Sequence, residues 1–285
     1  MAEFDEVPFV KGHGTGNDFV LVPDLGGSRD LTVQQVQFLC DRRRGIGGDG
    51  VLRVVRTEHV PEYADEAGIA EYFMDYRNAD GSVAEMCGNG ARVFVRYLHA
   101  TGLVTDAEVV IGTRGGPRTS ILHEDGSITI DMGGASSPAS TTGVNVCVGS
   151  HRWTASPAFA PNPHAVVFVD DLAEAGDLLA APVIDPPSSF PDGANVEFVV
   201  VRGPRHVAMR VHERGVGETQ SCGTGACAVA WVARRREEPQ VEGETTYRVD
   251  VPGGTVEVIQ TRAGSLLLRG PAELVARGTV LLPVG

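Results

Sequence analysis

Hydrophobic and polar positions alternate in short runs over most of the chain, and at a few places the pattern shifts to a helical period. In the first half, "VPFVKGHG" and "DFVLVP" read as a hairpin turned at "GTGN". "TVQQVQFLCDRRR" has helical spacing, with Thr32 or Asp30 as N-cap and Gly45 as the stop. "GVLRVVR" and "EYFMDYR" read as strands and "GARVFVRYLHATG" as a helix stopped by Gly102. "AEVVIGT", "RTSILHE" and "SITIDMG" follow as a meander with a turn at "EDGS".

The second half repeats this order. "VNVCVGSHRWTAS" and "HAVVFVDD" are strand-like, "LAEAGDLLA" reads as a helix, and "NVEFVVVRG" and "HVAMRVHE" as strands. A helix at "GACAVAWVARRRE" precedes three late strands, "TTYRVDVPGG", "TVEVIQ" and "SLLLRG". The glycine- and serine-rich "MGGASSPASTTG", residues 132–143, separates the halves. The pattern predicts a duplicated α/β unit with domains at residues 1–131 and 132–285. Residues 226–233, "ACAVAWVA", are apolar on every side. Such a helix is surrounded, here by a curved sheet, which leaves its N-terminal end for chemistry.

Composition narrows the possibilities. A chain of 285 residues suits two cores better than one. With 42% hydrophobic and 21% charged residues it has the make-up of a soluble globular protein. No apolar run reaches the ~18 residues of a membrane span, and the acidic start "MAEFDEVPF" is unlike a signal peptide. These features predict a cytoplasmic protein. A net charge of −13 argues against a nucleic-acid surface. The Arg42–Arg44 and Arg234–Arg236 clusters fall near helix C-termini, where they complement the dipole or stay solvated. Five cysteines, an odd number without framework spacing, are expected as thiols. Of 24 basic residues only Lys11 is lysine, and it sits in a strand-like start, which disfavours pyridoxal phosphate. No CxxC pairing or HExxH motif supports a metal. "GIGGDG", residues 45–50, matches GxGxxG but runs from helix to strand, the reverse of a dinucleotide site.

One near-repeat carries the chemistry. "EMCGNGARVF", residues 85–94, and "QSCGTGACAV", residues 220–229, each place a cysteine and two glycines at the start of an apolar helix. A helix N-terminus favours a thiolate. Gly88 and Asn89, like Gly223 and Thr224, supply first-turn amides that suit a carboxylate. If the two halves face each other, a carbon bearing that carboxylate has one sulfur on each side. That arrangement suits inversion of a stereocentre without a cofactor, one group removing the α-proton and the other delivering a proton. Cys40, Cys147 and Cys227 are read as core residues.

"KGHGTGNDFVLV", "DRRRGIGGDG", "YRNADGSVAEMCGNGAR", "PNPHAV", "GANVEF" and "VHERGVGETQSCGTGACA" together resemble the diaminopimelate epimerase family. The resemblance implies two pseudo-symmetric α/β domains, each a barrel-like sheet around a central helix, with the last strand (residues 275–285) crossing back to the first domain. It implies interconversion of LL- and meso-diaminopimelate without cofactor or metal, on the route to lysine and peptidoglycan. It makes Cys87 and Cys222 the acid/base thiols, with Gly88, Asn89, Gly223 and Thr224 holding the reacting carboxylate. Asn17, Asn78, Asn162, Asn195 and Arg214 match positions that hold the substrate's other polar groups, and Glu213 and His164 match residues beside the thiols. By their residue types alone the asparagines also suit ordinary turns, His164 a structural place, and Arg214 an ion pair with Glu213. The chain departs from the family at Pro161, where glycine is frequent, and at Gly50, where some members carry glutamine. Residues 57–71, "TEHVPEYADEAGIAE", read as a solvated acidic loop.

Other readings compete with this one. A two-cysteine proline or hydroxyproline racemase shares the thiols but has no use for a second charged substrate end. A thiol redox protein would cycle a Cys87–Cys222 disulfide, and an amino-acid-binding protein would need neither thiol. The sequence leaves open the oligomeric state, a homodimer included.

Overall fold

The computed structural model describes residues 4–137, 143–237 and 243–283. The chain divides into two compact units, residues 1–130 with 271–285, and residues 131–270.

In the first unit β1 (Phe4–Gly14) and β2 (Asn17–Pro23) form the hairpin, and α1 (Val33–Cys40) follows. Thr32 is the N-cap of α1, in a reciprocal capping box with Gln35. The helix stops before Gly45, at Asp41, whose amide closes on the carbonyls of Gln37 and Phe38. Gly45 serves packing instead, since a Cβ there would stand 1.7 Å from the Phe38 carbonyl oxygen. β3 (Gly50–Arg56) pairs parallel to β2 and antiparallel to β4 (Tyr72–Asn78). After α2 (Gly88–Ala100) come β5 (Glu108–Gly112), parallel to β4, then β6 (Arg118–Leu122) and β7 (Ile128–Gly134), both antiparallel.

The second unit repeats these pairings. β8 (Asn145–Val148) and β9 (His151–Phe159) come first, and β9 pairs antiparallel with β10 (Pro163–Phe168). β11 (Val183–Asp185) pairs with β8. β12 (Asn195–Gly203) runs parallel to β10 and antiparallel to β13 (His206–Glu213). The short β14 (Gly217–Glu218) and α3 (Gly223–Glu237) lead to β15 (Thr245–Val251), which is parallel to β13. β16 (Gly254–Gln260) and β17 (Ser265–Gly270) complete an antiparallel meander. Both units therefore follow one order of pairings, antiparallel, parallel, antiparallel, parallel and twice antiparallel. β18 (Glu273–Pro283) returns to the first unit and lies antiparallel to β1 from Phe4↔Pro283 to His13↔Glu273.

In each unit the sheet curves around one helix. α2 touches β1, β2, β3, β4, β6 and β18, and α3 touches β9, β10, β12, β13, β15, β16 and β17. Encirclement explains why ordinary amphipathy is missing: residues 88–95 of α2 and 225–230 of α3 are buried around the whole turn.

Three local expectations are corrected. "LAEAGDLLA" forms only a single 3-10 turn, Leu172–Ala175, started by an Asp171–Glu174 capping box and cut off by Gly176 at φ 69°. Residues 57–71 are not a plain loop. They wind into 3-10 turns at Thr57–His59 and Pro61–Gly68, anchored by Tyr63 against Phe73 at 4.8 Å between ring centroids. Cys40 and Cys227 are buried, but Cys147 is only half-buried on β8, 4.0 Å from the Arg152 guanidinium. No helix among the described residues is long and apolar enough to cross a membrane.

Candidate active site

In the first unit Cys87 is the N-cap of α2. Its extended backbone (φ −139°, ψ 118°) puts the sulfur over the first turn, where Sγ accepts the Gly90 amide at 3.4 Å. Gly88 and Asn89 are buried beside it. Asn17, at the start of β2, brings its Oδ1 to 3.8 Å from Cys87 Sγ and accepts from Asn89 Nδ2 at 3.1 Å. Cys87, Asn89 and Asn17 thus form one cluster.

Groups that sequence reasoning passed over hold this cluster. Asn17 Nδ2 donates to Asp49 at 2.7 Å, and Arg42 bridges Asp49 (2.8 Å) and Asp18 (2.6 Å). Arg42 is therefore an ion-pair partner and not a helix-dipole counter-charge. Burial works to raise the Asp18 carboxyl, but hydrogen bonds from Arg42 and Lys11 outweigh it and hold the group well below its ordinary value. Behind Asn89 stands Arg92, fully buried, donating to Asn89 Oδ1 at 2.7 Å and Thr15 Oγ1 at 3.1 Å. Asn78 ends β4 opposite Gly50, and its amide accepts from Tyr76 Oη (2.8 Å) and donates to Ser82 Oγ (3.0 Å). Its amide is thus engaged within its own strand and turn.

In the second unit Cys222 precedes α3 in the same manner. Sγ accepts the Gly225 amide at 3.3 Å and lies 3.4 Å from Thr224 Oγ1, and the Cys222 carbonyl accepts the Ala226 amide as that of Cys87 accepts Ala91. Gly223 is buried and Thr224 half-buried in that first turn. The electrostatics differ from the simple helix-end expectation. Burial, then the carboxylates of Glu213 and Glu197, push the Cys222 thiol well above its ordinary value, against the lowering effect of Thr224 and the Gly225 amide.

His164 on β10 is wholly buried. Its Nδ1 faces Glu197 Oε1 at 2.6 Å and its Nε2 faces Asn162 Oδ1 at 2.8 Å. Asn195 is buried at the start of β12, opposite His164, and its Oδ1 accepts the Arg214 amide at 2.9 Å. The Arg214 side chain is exposed, and its Nη1 donates to the Asp192 carbonyl at 3.1 Å. Glu213 accepts a short hydrogen bond from Thr219. Around His164, Glu197 is the residue that sequence reasoning missed. The signal was a single acid inside the otherwise apolar strand "NVEFVVV", where an ionisable group is rarely buried without purpose.

The chain is similar to known proteins in both sequence and fold. The sequence matches the family model for diaminopimelate epimerase over residues 9–138 and 160–275. It is 55% identical over 275 residues to a diaminopimelate epimerase of Streptomyces coelicolor, covering 95% of this chain and 94% of that protein. It is 47% identical over 283 residues to one of Thermobifida fusca, covering 96% and 98%. Among solved structures, a PhzF-family phenazine biosynthesis protein of Bacillus anthracis shares the fold at a TM-score of 0.72 and 18% identity, covering 98% of this chain and all of that one. Length, motifs and topology converge, and the chain belongs to the diaminopimelate epimerase family.

Proposed function

We propose that the protein epimerises LL-2,6-diaminopimelate to the meso form without pyridoxal phosphate or metal, through the thiols of Cys87 and Cys222, as a cytoplasmic step toward lysine and peptidoglycan precursors. The observation that carries this reading is the paired geometry: each sulfur caps an encircled helix and accepts the amide three residues on, at 3.4 and 3.3 Å. One sulfur takes the α-proton and the other supplies a proton to the opposite face of the same carbon. First-turn amides at Gly88–Asn89 and Gly223–Thr224 lie at the positive ends of their helices and suit the carboxylate on which charge develops. Burial and the carboxylates of Glu213 and Glu197 push the Cys222 thiol up, which suits it to supplying a proton. Asn17, Asn78, Asn162, Asn195 and Arg214 supply neutral and cationic partners for the amino groups and the distal carboxylate.

The test is incubation of the reduced protein with LL-diaminopimelate in deuterated water without added cofactor. The expected result is deuterium at one α-carbon together with the meso isomer. Absence of incorporation by fully reduced protein would refute the reading. Proline in place of the substrate separates it from a racemase, since only a racemase would exchange proline's α-proton.

A further inference from the structure

The most unusual buried group in the second unit is Glu197. Its side chain is completely buried in β12, among Val196, Phe198 and Val199, and an acid in such a place costs several kcal/mol by the usual order of magnitude unless it is paired. Only one of its oxygens is satisfied among the described residues. Oε1 faces His164 Nδ1 at 2.6 Å, while Oε2 is buried and has no hydrogen-bond partner there. Evolution of a stable strand alone would favour valine at that position, so the cost points to a role.

Hydrogen-bond accounting on His164 shows what the role is. Nδ1 faces a carboxylate oxygen, and Nε2 faces the carbonyl oxygen of the Asn162 amide at 2.8 Å. Two acceptors on opposite sides of one imidazole ask for a proton on each ring nitrogen. A neutral imidazole carries only one such proton, so the second makes the ring a cation, whose charge the Glu197 carboxylate at 2.6 Å balances. With its Oδ1 taken by Nε2, Asn162 is fixed in one orientation and its NH2 group is the end left to donate. Asn162 is half-buried, whereas His164 and Glu197 are fully enclosed.

Glu197 also stands at the helix start. A Cβ on Gly225 would lie 2.9 Å from Glu197 Oε1 and 3.3 Å from Cys222 Sγ, so carboxylate and sulfur border the same point. The glycine at 225 leaves room for both.

We infer that Glu197 is a positioning residue of this enzyme: it keeps both ring nitrogens of His164 protonated and thereby turns Asn162 with its NH2 group toward the ligand, beside Cys222. His164 then works as a fixed double donor, and Asn162 as a donor to an anionic or carbonyl oxygen. The kinetic part of this inference rests on the epimerase reading above, but the ring protonation does not.

The experiment is selective 15N labelling of histidine in the full chain, with spectra of wild type and Glu197→Gln at neutral pH, followed by kinetics with LL-diaminopimelate. The wild type is expected to show one solvent-protected histidine with both nitrogens protonated, and E197Q to show that ring with a single proton. Partners that orient metal-bound histidines contribute about 10–100-fold, and by analogy kcat/KM is expected to fall by about that factor in E197Q. A protected wild-type ring carrying one proton overturns the proposal, and this arm needs no variant to fold. A folded E197Q with the wild-type ring spectrum overturns it as well. If Cys222→Ala still epimerises, the functional reading fails while the spectra decide the relay on their own.

Discussion

The starts of α2 and α3 share one local design and differ in what stands behind them. Each sulfur accepts an amide three residues on, within 0.1 Å of the same distance. The motif "CGxGA" sets that geometry because a small first turn lets the backbone wrap under the sulfur. Five residues past each cysteine the two sequences part, with Arg92 in one helix and Cys227 in the other. Buried Arg92 backs the Cys87 cluster through Asn89, while the carboxylates of Glu197 and Glu213 back Cys222. The lesson is that a short motif fixes where a thiol sits, and the residues packed behind it set its electrostatic surroundings.

The largest test of this contrast removes the sulfurs. Cys87→Ala and Cys222→Ala are each expected to lower epimerisation by roughly 10³-fold, the usual range for a lost acid or base, with circular dichroism unchanged. One variant retaining near-native turnover would mean that the two ends are not partners in one reaction.

A second test works on charge alone. The Glu213 carboxylate raises the Cys222 thiol, so Glu213→Gln should lower it and increase the thiolate fraction at any fixed pH below the titration. Iodoacetamide labelling of Cys222, followed by peptide mass spectrometry at pH 8, is expected to accelerate about 3- to 10-fold, tenfold matching one pK unit. Labelling of Cys87 in the same samples is the internal control and should not change.

Glycine substitutions sharpen the comparison sterically. A methyl group at Gly90 meets Leu52 Cδ2 at 3.3 Å and carbons of Cys87 and Phe19 at 3.5 Å. At Gly225 it meets the Glu197 oxygen at 2.9 Å. Gly225→Ala should therefore cost about 1–3 kcal/mol through overpacking, and Gly90→Ala less than about 1 kcal/mol because helix propensity offsets the tighter fit. Urea midpoints of the two variants decide the order.

The smallest effect concerns acid. Folding holds the Asp18 carboxyl below its ordinary value of 3.8, so the stability it contributes is complete above that pH and is lost as pH falls below it. Asp18→Asn should flatten the acid limb of the stability curve below pH ~4, the range set by an unperturbed aspartate. An unchanged limb would show that the Lys11–Asp18–Arg42 group does not support Asn17 energetically.

Much of this was legible in the sequence because it is written locally. The apolar ring at residues 226–233 announced an encircled helix, and the repeated cysteine motif announced two helix starts. What stayed hidden depends on contacts between distant segments. "LAEAGDLLA" has helical composition, but Gly176 at φ 69° ends it after one turn, and the corresponding place in the first unit holds the two-turn α1. Arg42 looked like a dipole partner until Asp18 and Asp49 came within 2.8 Å of it. Glu197 looked like one polar position in a strand, and only the parallel register of β10 and β12 brings it to His164.

The pairing of β18 with β1 has a consequence in time. The first unit's sheet uses residues 4–14 on one strand and 273–283 on the next, and all of the second unit is encoded between them. During synthesis β1 must wait, with one edge unpaired, until the ribosome has made the whole of the second unit. An exposed strand edge is a template for wrong partners, so β1 stays open to wrong pairing until residues 273–283 have been made. The second unit, whose strands are contiguous in sequence, is free to fold during that interval. Order of folding thus runs opposite to order of synthesis: the half that begins first finishes last.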